Sequence, residues 1–534
     1  MMKRIFSVTS QSVGSAALIL VASALVSRVL GLLRDRLMAG TFGAGQELDI
    51  YFAAFRIPDF IYGLFITGGI AAVFLPVFSS YMEENKEKAR EFVSSLLVSL
   101  LVFLSLLSVV LALAAPWIMR FVVPGFNEAS MQTAVAMARL LFLSPILFGL
   151  ASVFSGLLQY HRRFLAYATA PILYNLGIIF GILVFVPRFG VFGLAWGVIL
   201  GALLQFVIQV VPVLQAGFSF TRVRNILSPG VMSVARLSIP RTIGAAAYHL
   251  NLIIMTSIAS LFSAGSITVF NLANNLQYVP IGLVGVSFAV ASFPELSRSA
   301  ARGDEVGFAR QFSSTLRQIV FLALPASLLL LLFRTQIVRL VLGTGEFSWE
   351  ATQLTSQVLG IFALSVVFYS VIPFLARAFF ARQDTKTPTV AGVISVGVNL
   401  GLAFLFAQML SSVSIGGISD VRVLALPLAL LVSGFVQFAM LVFFLQKGRR
   451  LYEGGWGVFC RMGIASAALV AVSLAGLRAS FSFLDLGTFS GVLMQTTVVS
   501  LLAGASYLLV SWLLKIPEAR RFGSILSKMR NVWA

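Results

Sequence analysis

The chain has 534 residues, of which 59% are hydrophobic and 11% are charged. Soluble globular proteins have about 45–50% apolar and about 25% charged residues, and single hydrophobic cores stop growing at about 250–300 residues. This composition excludes a soluble globular protein, and the single cysteine, Cys460, excludes a disulfide scaffold. The 38 basic residues against 19 acidic ones are typical of a multi-span membrane protein, in which basic loops set the orientation.

The apolar runs predict an all-α polytopic membrane protein with about fourteen transmembrane helices, at about 20 apolar residues per span. They are too long and unbroken for the alternating strands of a membrane barrel. The predicted spans are 13–36, 48–80, 91–119, 132–159, 164–187, 190–215, 233–262, 266–296, 308–333, 352–379, 388–410, 423–445, 458–477 and 489–514. Pro58 and Pro280 predict a tilt or kink in the second and eighth spans. The first span lacks a small-residue cleavage site, which predicts a retained helix rather than a signal peptide.

Basic residues gather in the loops on one side of the predicted bundle. These loops cover residues 86–90, 161–163, 222–224, 298–310, 382–386 and 447–450. With an even number of spans, both termini lie on this same side. The opposite loops hold few basic residues, so the positive-inside rule predicts that both termini are cytoplasmic.

Several segments recur about 220 residues later in the same order, which indicates an internal duplication. They pair residues 42–45 with 262–265, 90–95 with 310–315, and 175–177 with 399–401. The predicted domains are a six-helix lobe at 1–216, a cytoplasmic linker at 217–232, a second six-helix lobe at 233–446, and two further helices with a basic tail at 447–534. Two lobes of like orientation, related by an axis along the membrane normal, favour a transporter with its substrate site between the lobes. A duplicated protein that does not transport is the alternative.

Ionisable residues within the first two spans point to a binding cavity. A charge at bilayer depth costs at least about 2.5–3.5 kcal/mol, so it must face a cavity or a partner. Arg28 and Asp35 share one face of the first helix, as Asp49 and Arg56 do in the second. The candidate substrate-binding residues here are Arg28, Arg34 and Arg56. The candidate gating or ion-coupling residues are Asp35, Asp49 and Asp59.

Arginine suits a phosphate or diphosphate because its planar fork donates two parallel hydrogen bonds and stays charged. Asp35 and Asp49 would offset the arginine charge in an empty cavity, and a phosphate could displace them. The alternative is that Arg34, Asp35 and Asp49 lie in a short outer loop and pair there in solvent.

The corresponding part of the second half is polar with little charge. Its candidate substrate-binding residues are Arg241, Asn271, Asn274, Asn275 and Tyr278. The last four recur at helical spacing and form one polar face, although interhelical hydrogen bonding is an alternative role for the asparagines. His249 is interpreted as an interior histidine in preference to a proton carrier.

No enzyme signature occurs in the sequence. It has no phosphate-binding loop, no metal-spaced cysteine and histidine cluster, and no nucleophile elbow. We therefore expect a non-enzyme without cofactor, driven by a monovalent cation gradient, by the membrane potential, or by consumption of its substrate elsewhere.

Several segments resemble those of one family. They are Ser27-Arg28-Val29-Leu30-Gly31, Arg34-Asp35, Phe42-Gly43-Ala44-Gly45, Asp49, Ala115-Pro116-Trp117, Pro124-Gly125-Phe126 and Arg382-Gln383-Asp384-Thr385-Lys386-Thr387-Pro388. Together they resemble the MurJ/MviN family of lipid II flippases, in the superfamily of multidrug and polysaccharide exporters, over nearly the whole chain. The last segment is the most specific match.

The resemblance implies two lobes around a cationic cavity that opens alternately to each leaflet, with helices 13 and 14 forming a groove for the lipid tail. It implies that Arg28, Arg34 and Asp35 are needed for function and that Asp49 is an acidic cavity residue. It also implies a bacterial cytoplasmic (inner) membrane location. The departures from the family are Tyr62-Gly63 in place of an arginine, Ile66-Thr67-Gly68 in place of Ala-Glu-Gly, and Asn275 and Tyr278 in place of an arginine and a glutamate. Arg56 and Arg241 are candidate cationic replacements.

The first functional hypothesis is a flippase that moves an undecaprenyl-diphosphate-linked peptidoglycan precursor, lipid II, from the inner to the outer leaflet by alternating access. The second is an ion-coupled exporter of amphipathic small molecules or of other polyprenyl-linked glycans. A third is a scaffold that recruits cell-wall enzymes without transport. A further use of Arg34 and Asp35 is pure gating of the outer face. We expect a monomer with membrane lipids and cell-wall synthesis enzymes as partners, and no nucleic acid.

Overall fold

The computed structural model describes residues 13–64, 70–215, 217–223, 225–446, 457–480 and 484–520, with backbone alone for 13–18, 71–72 and 240–248. Within these ranges the regular structure is helical apart from one isolated bridge between Ile415 and Ile418, so the predicted all-α class is confirmed. The α-helices are α1 (Val13–Phe42), α2 (Gln46–Ile61), α3 (Ala71–Glu84), α4 (Lys86–Val122), α5 (Glu128–Leu141), α6 (Ser144–Tyr160), α7 (Phe164–Phe180), α8 (Val186–Phe189), α9 (Phe192–Gln215), α10 (Pro229–Ala259), α11 (Ser266–Pro280), α12 (Ser287–Ala301), α13 (Glu305–Leu332), α14 (Arg334–Val341), α15 (Trp349–Ala381), α16 (Lys386–Met409), α17 (Ala425–Gln446), α18 (Gly457–Ser480) and α19 (Phe489–Leu513).

Eleven helical stretches of the described chain are long and apolar enough to cross a membrane. They coincide with eleven of the predicted spans, so the protein is a multi-pass membrane protein. The predicted first, second and seventh spans are helical in most of their described residues but are not among the eleven. The count of fourteen therefore stays a prediction.

The helices are interrupted close to the two prolines that the sequence singles out. Helix α11 ends at Pro280, and a π-helical turn, Ile281–Val286, separates it from α12. Helix α2 ends at Ile61, one turn after Pro58, and α3 begins at Ala71. Proline removes one backbone donor and clashes with the turn that precedes it, whereas both changes lie after the proline. The tilt or kink expected at Pro58 and Pro280 therefore stays a prediction.

The chain forms two compact units. The first contains the described residues up to Thr268 together with Thr344–Phe347, and the second contains Val269–Gly343 and the chain from Ser348 onward. The predicted linker at 217–232 lies earlier in the sequence than this division, because α10 belongs to the first unit. The two six-helix lobes stay a prediction.

In the first unit, stacked aromatic rings and close helix contacts fix the arrangement around α7. The Phe74 ring stacks on Phe78 and Phe92 at centroid distances of 5.4 and 6.1 Å. Helices α7 and α9 approach so closely that a Cβ on Gly177 would lie 2.3 Å from the Gly201 Cα. Small residues allow membrane helices to approach this closely. The close packing against α9 fixes the position of α7, which also packs against α1.

In the second unit, the two C-terminal helices are fastened to α13. The Tyr507 hydroxyl donates to the Phe321 carbonyl at 2.9 Å, and the Arg317 Nε donates to the Glu518 Oε1 at 2.9 Å. Both carboxylate and guanidinium are largely shielded from solvent. Removing one member of such a pair leaves a buried charge unpaired, so this pair fixes the end of α19 against α13.

The segment of residues 382–388, which is the most specific match to the family, contains the start of helix α16 in the second unit. The Asp384 carboxylate accepts from the Thr387 amide at 3.0 Å and from the Thr387 hydroxyl at 2.7 Å, at the start of α16. Arg382 pairs with Glu305 at 2.6 Å and lies over the Phe308 ring. These contacts tie the segment to α13 and give it a structural role.

We expect Asp384→Ala to lower the melting temperature of the purified protein, by an amount equivalent to about 1 kcal/mol for a lost helix cap. Partial burial raises the pKa of the Asp384 carboxyl, but hydrogen bonds from Thr387 and Lys386 and the Lys386 charge outweigh it, so the pKa lies below its ordinary value. The carboxylate therefore stabilises the protein at neutral pH, and this contribution is lost as the pH falls through the lowered pKa. Thermal melts of both proteins between pH 3 and 7 test this. A difference in melting temperature between the two proteins that is as large at pH 3 as at pH 7 would contradict this expectation.

Candidate functional site

The first helix continues beyond its predicted end. The prediction places its end at residue 36, whereas α1 runs to Phe42, so Arg34 and Asp35 lie about two turns inside a helix. Asp35 is buried, and Asp49 is only 3% exposed. The alternative of a solvated outer loop for these residues is therefore wrong, because the protein surrounds both carboxylates.

Arg34 is the centre of a hydrogen-bonded network. Its Nε and Nη2 donate to the Asp35 Oδ1 at 3.0 and 2.8 Å, and its Nη1 donates to the Asn175 Oδ1 at 3.2 Å. Tyr51 and Tyr174 also interact electrostatically with the guanidinium. The Arg34 side chain nevertheless remains 21% exposed. A guanidinium has five N–H donors, so this one is neutralised and oriented while part of it remains accessible.

Asn175 of α7 sets the position of this network. Its amide Nδ2 donates to the Ser27 carbonyl and hydroxyl, at 3.3 and 3.2 Å, and to the Pro171 carbonyl at 3.0 Å. Gly31 faces the same amide, since a Cβ there would lie 3.9 Å from the Asn175 Oδ1. Ser27, Gly31 and Arg34 follow a helical spacing, so one side of α1 packs against α7.

Asn175 belongs to one of the repeated segments of the sequence and is not among the predicted site residues. The available signal is an amide within the otherwise apolar run 164–180, because polar residues in membrane helices usually hydrogen-bond to a neighbouring helix.

Asp49 caps a helix. Its Oδ2 accepts from the Gly265 amide at 2.7 Å, and its Oδ1 accepts from the Thr268 amide and hydroxyl at 2.7 and 2.6 Å. These donors belong to the first turn of α11, whose exposed amides and positive dipole end favour a carboxylate. The gating or ion-coupling role of Asp49 stays a prediction, and its contacts are those of a helix cap.

Helices α2 and α10 bring together a second group of ionisable residues. The Arg56 Nε donates to the Thr256 hydroxyl at 2.7 Å. The Asp59 Oδ2 lies 3.8 Å from the His249 Nδ1. His249 also lies directly against Gly63 of the same unit, where a Cβ would come within 1.8 Å of the imidazole Nε2.

The remaining predicted residues are placed as follows. Arg28 is half-buried on α1. The Arg241 side chain lies outside the described residues. The polar face of α11 belongs to the second unit, with Asn271 buried, Asn274 and Asn275 half-buried and Tyr278 exposed.

Gln277, on the same helix as that polar face, was not predicted as a site residue. Its side-chain amide donates to the Ser365 hydroxyl of α15 at 3.1 Å. In that contact α11 uses an interhelical polar bond of the kind expected in membranes.

The chemistry available in the first unit is electrostatic. Among the residues that the structure describes, no three histidine, cysteine or acidic side chains are grouped to hold a metal ion. The Nε and Nη2 of Arg34 both donate to the single oxygen Oδ1 of Asp35. A phosphate group that replaced this carboxylate could accept the same two donors on two of its oxygens, in a bidentate pair.

Comparisons with known proteins agree with the sequence resemblance. A family model described as lipid II flippase MurJ matches residues 38–494. A probable lipid II flippase MurJ of Rhizobium tropici is 30% identical over 502 residues, which cover 91% of this chain and 92% of the relative. The lipid II flippase MurJ of Burkholderia cenocepacia is 30% identical over 70% of this chain and 74% of its own length.

Two solved structures share the fold. A lipid II flippase MurJ in an inward closed conformation has a TM-score of 0.76 at 22% identity, over 92% of this chain and 98% of that chain. An inward-facing multidrug resistance transporter of the MATE family, from the MOP superfamily, has a TM-score of 0.64 at 14% identity, over 80% and 98% of the two chains. At these identities the likeness shows the fold alone. The match of the family model over most of the sequence, with relatives aligned along nearly its full length, shows that the chain belongs to the family of the lipid II flippase MurJ.

Proposed function

We propose that the protein translocates lipid II, an undecaprenyl-diphosphate-linked peptidoglycan precursor, from the inner to the outer leaflet by alternating access. The observation that carries this proposal is the Arg34 guanidinium, held by Asp35 and Asn175 and still partly exposed. Family membership supplies the substrate class, and the arginine supplies the chemistry that a diphosphate requires.

The proposed steps involve no covalent chemistry, so the protein acts as a transporter and not as an enzyme. The diphosphate replaces Asp35 as the partner of Arg34, while the prenyl tail stays in the lipid. When the headgroup leaves, Asp35 pairs with Arg34 again, which avoids an unpaired charge in a medium of low dielectric.

The proposal includes a bacterial inner-membrane location with both termini in the cytoplasm, supported by the distribution of basic loops. It includes a monomer supplied with substrate by cell-wall synthesis enzymes. We expect the energy to come from a monovalent cation gradient, from the membrane potential, or from consumption of the substrate elsewhere.

Depletion of the resident lipid II flippase in a bacterial host, with this chain as replacement, tests the proposal. We expect growth to be restored and lipid II to become accessible to an outer-leaflet probe. Arg28→Ala should reduce that accessibility by more than about tenfold, because Arg28 supplies a second cation on α1. Arg188→Ala, an exposed arginine of the short helix α8, is the matched control and should retain activity.

Unchanged accessibility in Arg28→Ala would argue against its role in binding. Restored growth without exposure of lipid II would favour a scaffold over a flippase. Drug tolerance without restored growth would favour an exporter of small molecules.

A further inference from the structure

The cluster formed by Arg56, Asp59 and His249 in the first unit adjoins the Arg34 network, because Tyr174 interacts electrostatically with both Arg34 and Asp59. Arg56 and Asp59 lie on α2, and His249 lies on α10. The His249 Nδ1 is 3.8 Å from the Asp59 Oδ2, and Arg56 is tied to α10 by its bond to Thr256. An acid, a base and a permanent cation thus meet where two helices pack.

The His249 imidazole is held in position by packing contacts as well as by its electrostatic interaction with Asp59. Its Nε2 lies against the backbone at Gly63, and the Phe60 ring packs edge-on at a centroid distance of 6.4 Å. Any side chain at residue 63 would occupy the space of the ring. Gly63 is therefore what allows His249 to reach α2 and present its Nδ1 to Asp59.

Among the residues whose side chains the structure describes, two charged groups act on His249, and both lie on α2. They are Asp59, which favours the protonated ring, and Arg56, which disfavours it. Helices α3 and α4 also pack against α10, but the charged residues of α3 and α4 lie towards the two ends of α10. Tyr81 and Phe92 contact Gly230 near one end, and Phe121 accepts from Ser257 near the other.

We propose that His249 and Asp59 form a proton-binding site that couples translocation to pH. The side chains are 17% and 33% exposed, so water can deliver and remove the proton. Imidazole is the side chain whose ordinary titration falls between pH 5 and 8. Binding of a proton converts the contact between α2 and α10 into an ion pair, and its release leaves Asp59 without that partner charge.

The consequence is that the free energy of holding α2 against α10 depends on proton occupancy. By linkage, any step of the transport cycle that changes this packing must change the affinity of the site for the proton. This coupling rests on the proposed lipid II transport, whereas the proton site itself does not.

The chain has only two histidines, His161 and His249, which makes a direct test possible. Protein labelled with ¹⁵N-histidine should give two sets of ring-nitrogen signals, one from each imidazole. The variant His161→Gln should lack one of these sets. We expect the remaining signal to titrate between pH 5 and 8. Asp59→Asn should move its midpoint down by at least about half a pH unit, because the carboxylate stabilises the imidazolium. An absent titration, or an unmoved midpoint in Asp59→Asn, overturns the proposal.

Transport in proteoliposomes forms the second arm. We expect the rate of lipid II translocation to vary at least threefold across the His249 midpoint in the wild type and in His161→Gln, and to be flat in His249→Gln. A pH profile that survives in His249→Gln overturns the coupling. If the wild type moves no lipid II at any pH, the proposed function fails and the coupling with it, while the imidazole titration still decides the proton site.

Discussion

Arg34→Ala is expected to lower lipid II translocation by more than about tenfold. A hydrogen bond between charged groups contributes about 1.5–3 kcal/mol, and about 1.4 kcal/mol corresponds to a tenfold change. Arg34→Lys keeps the charge but loses the planar fork, so we expect a smaller loss. Probe accessibility of lipid II in depleted cells, with protein level and melting temperature measured in parallel, checks both variants.

Alanine at residue 34 removes the cation that neutralises the buried Asp35, which by itself could unfold the protein. The double variant Arg34→Ala with Asp35→Asn removes both charges and should recover the melting temperature without recovering transport. Recovery of transport in this double variant would show that the guanidinium only neutralises Asp35 and does not bind the substrate.

A swap of the two charges separates binding from gating. In the variant Arg34→Asp with Asp35→Arg the pair is kept, but the guanidinium moves by about 100° around the helix axis. Pure gating predicts that the swap restores activity lost in either single reversal. Phosphate binding at the position set by Asn175 predicts that it does not.

Gly265→Ala is expected to be among the most destabilising single substitutions in the first unit. Gly265 has a φ of +92°, and a Cβ there would lie 2.2 Å from the Ala44 carbonyl oxygen. The atoms next to this Cβ position belong to the backbone of Ala44 and Gly45, which cannot rotate away as a flexible side chain could. The Gly265 amide is also a donor to Asp49, so a shift weakens the cap of α11. Strain at such a residue costs about 1–3 kcal/mol, and overpacking costs about 1–3 kcal/mol more.

Thermal melts of purified Gly265→Ala and of Gly303→Ala check this expectation. Gly303 has a φ of +69° with nothing within 4 Å of its Cβ position, so its substitution carries backbone strain without a clash. We expect the larger loss of stability in Gly265→Ala. Equal losses in the two variants would mean that the contact with Ala44 contributes nothing.

Much of the fold can be predicted from composition and hydropathy because a bilayer requires long apolar helices with internally satisfied backbones. The tilt or kink predicted at Pro58 and Pro280 rests on local chemistry alone, since proline acts on its own helix. The predicted first span ends at residue 36 because the length rule estimates only the part of a helix that crosses the bilayer. In the structure the helix continues to Phe42, and Arg34 hydrogen-bonds to Asn175 of α7.

The candidate site could be predicted only in part. Sequence places Arg34 and Asp35 together because they are adjacent, but Asn175, 141 residues beyond Arg34, completes the network. Asp49 is predicted as a cavity acid, yet its partners at Gly265 and Thr268 are 216 and 219 residues away. Helical spacing relates residues within one helix and carries no information about which other helix will face them.

The sequence by itself determined the membrane class, eleven of the spans, the family and the set of charged residues that had to find partners, because each of these follows from composition, local periodicity or short motifs. The tertiary structure decided what each charge does. Arg34 is held in place by Asp35 and Asn175, Asp49 caps the start of α11, and Asp59 meets His249 because Gly63 leaves room for the ring. The physical reason is that the cost of burying a charge is known from its chemistry, whereas the partner that offsets it depends on which distant helices pack together.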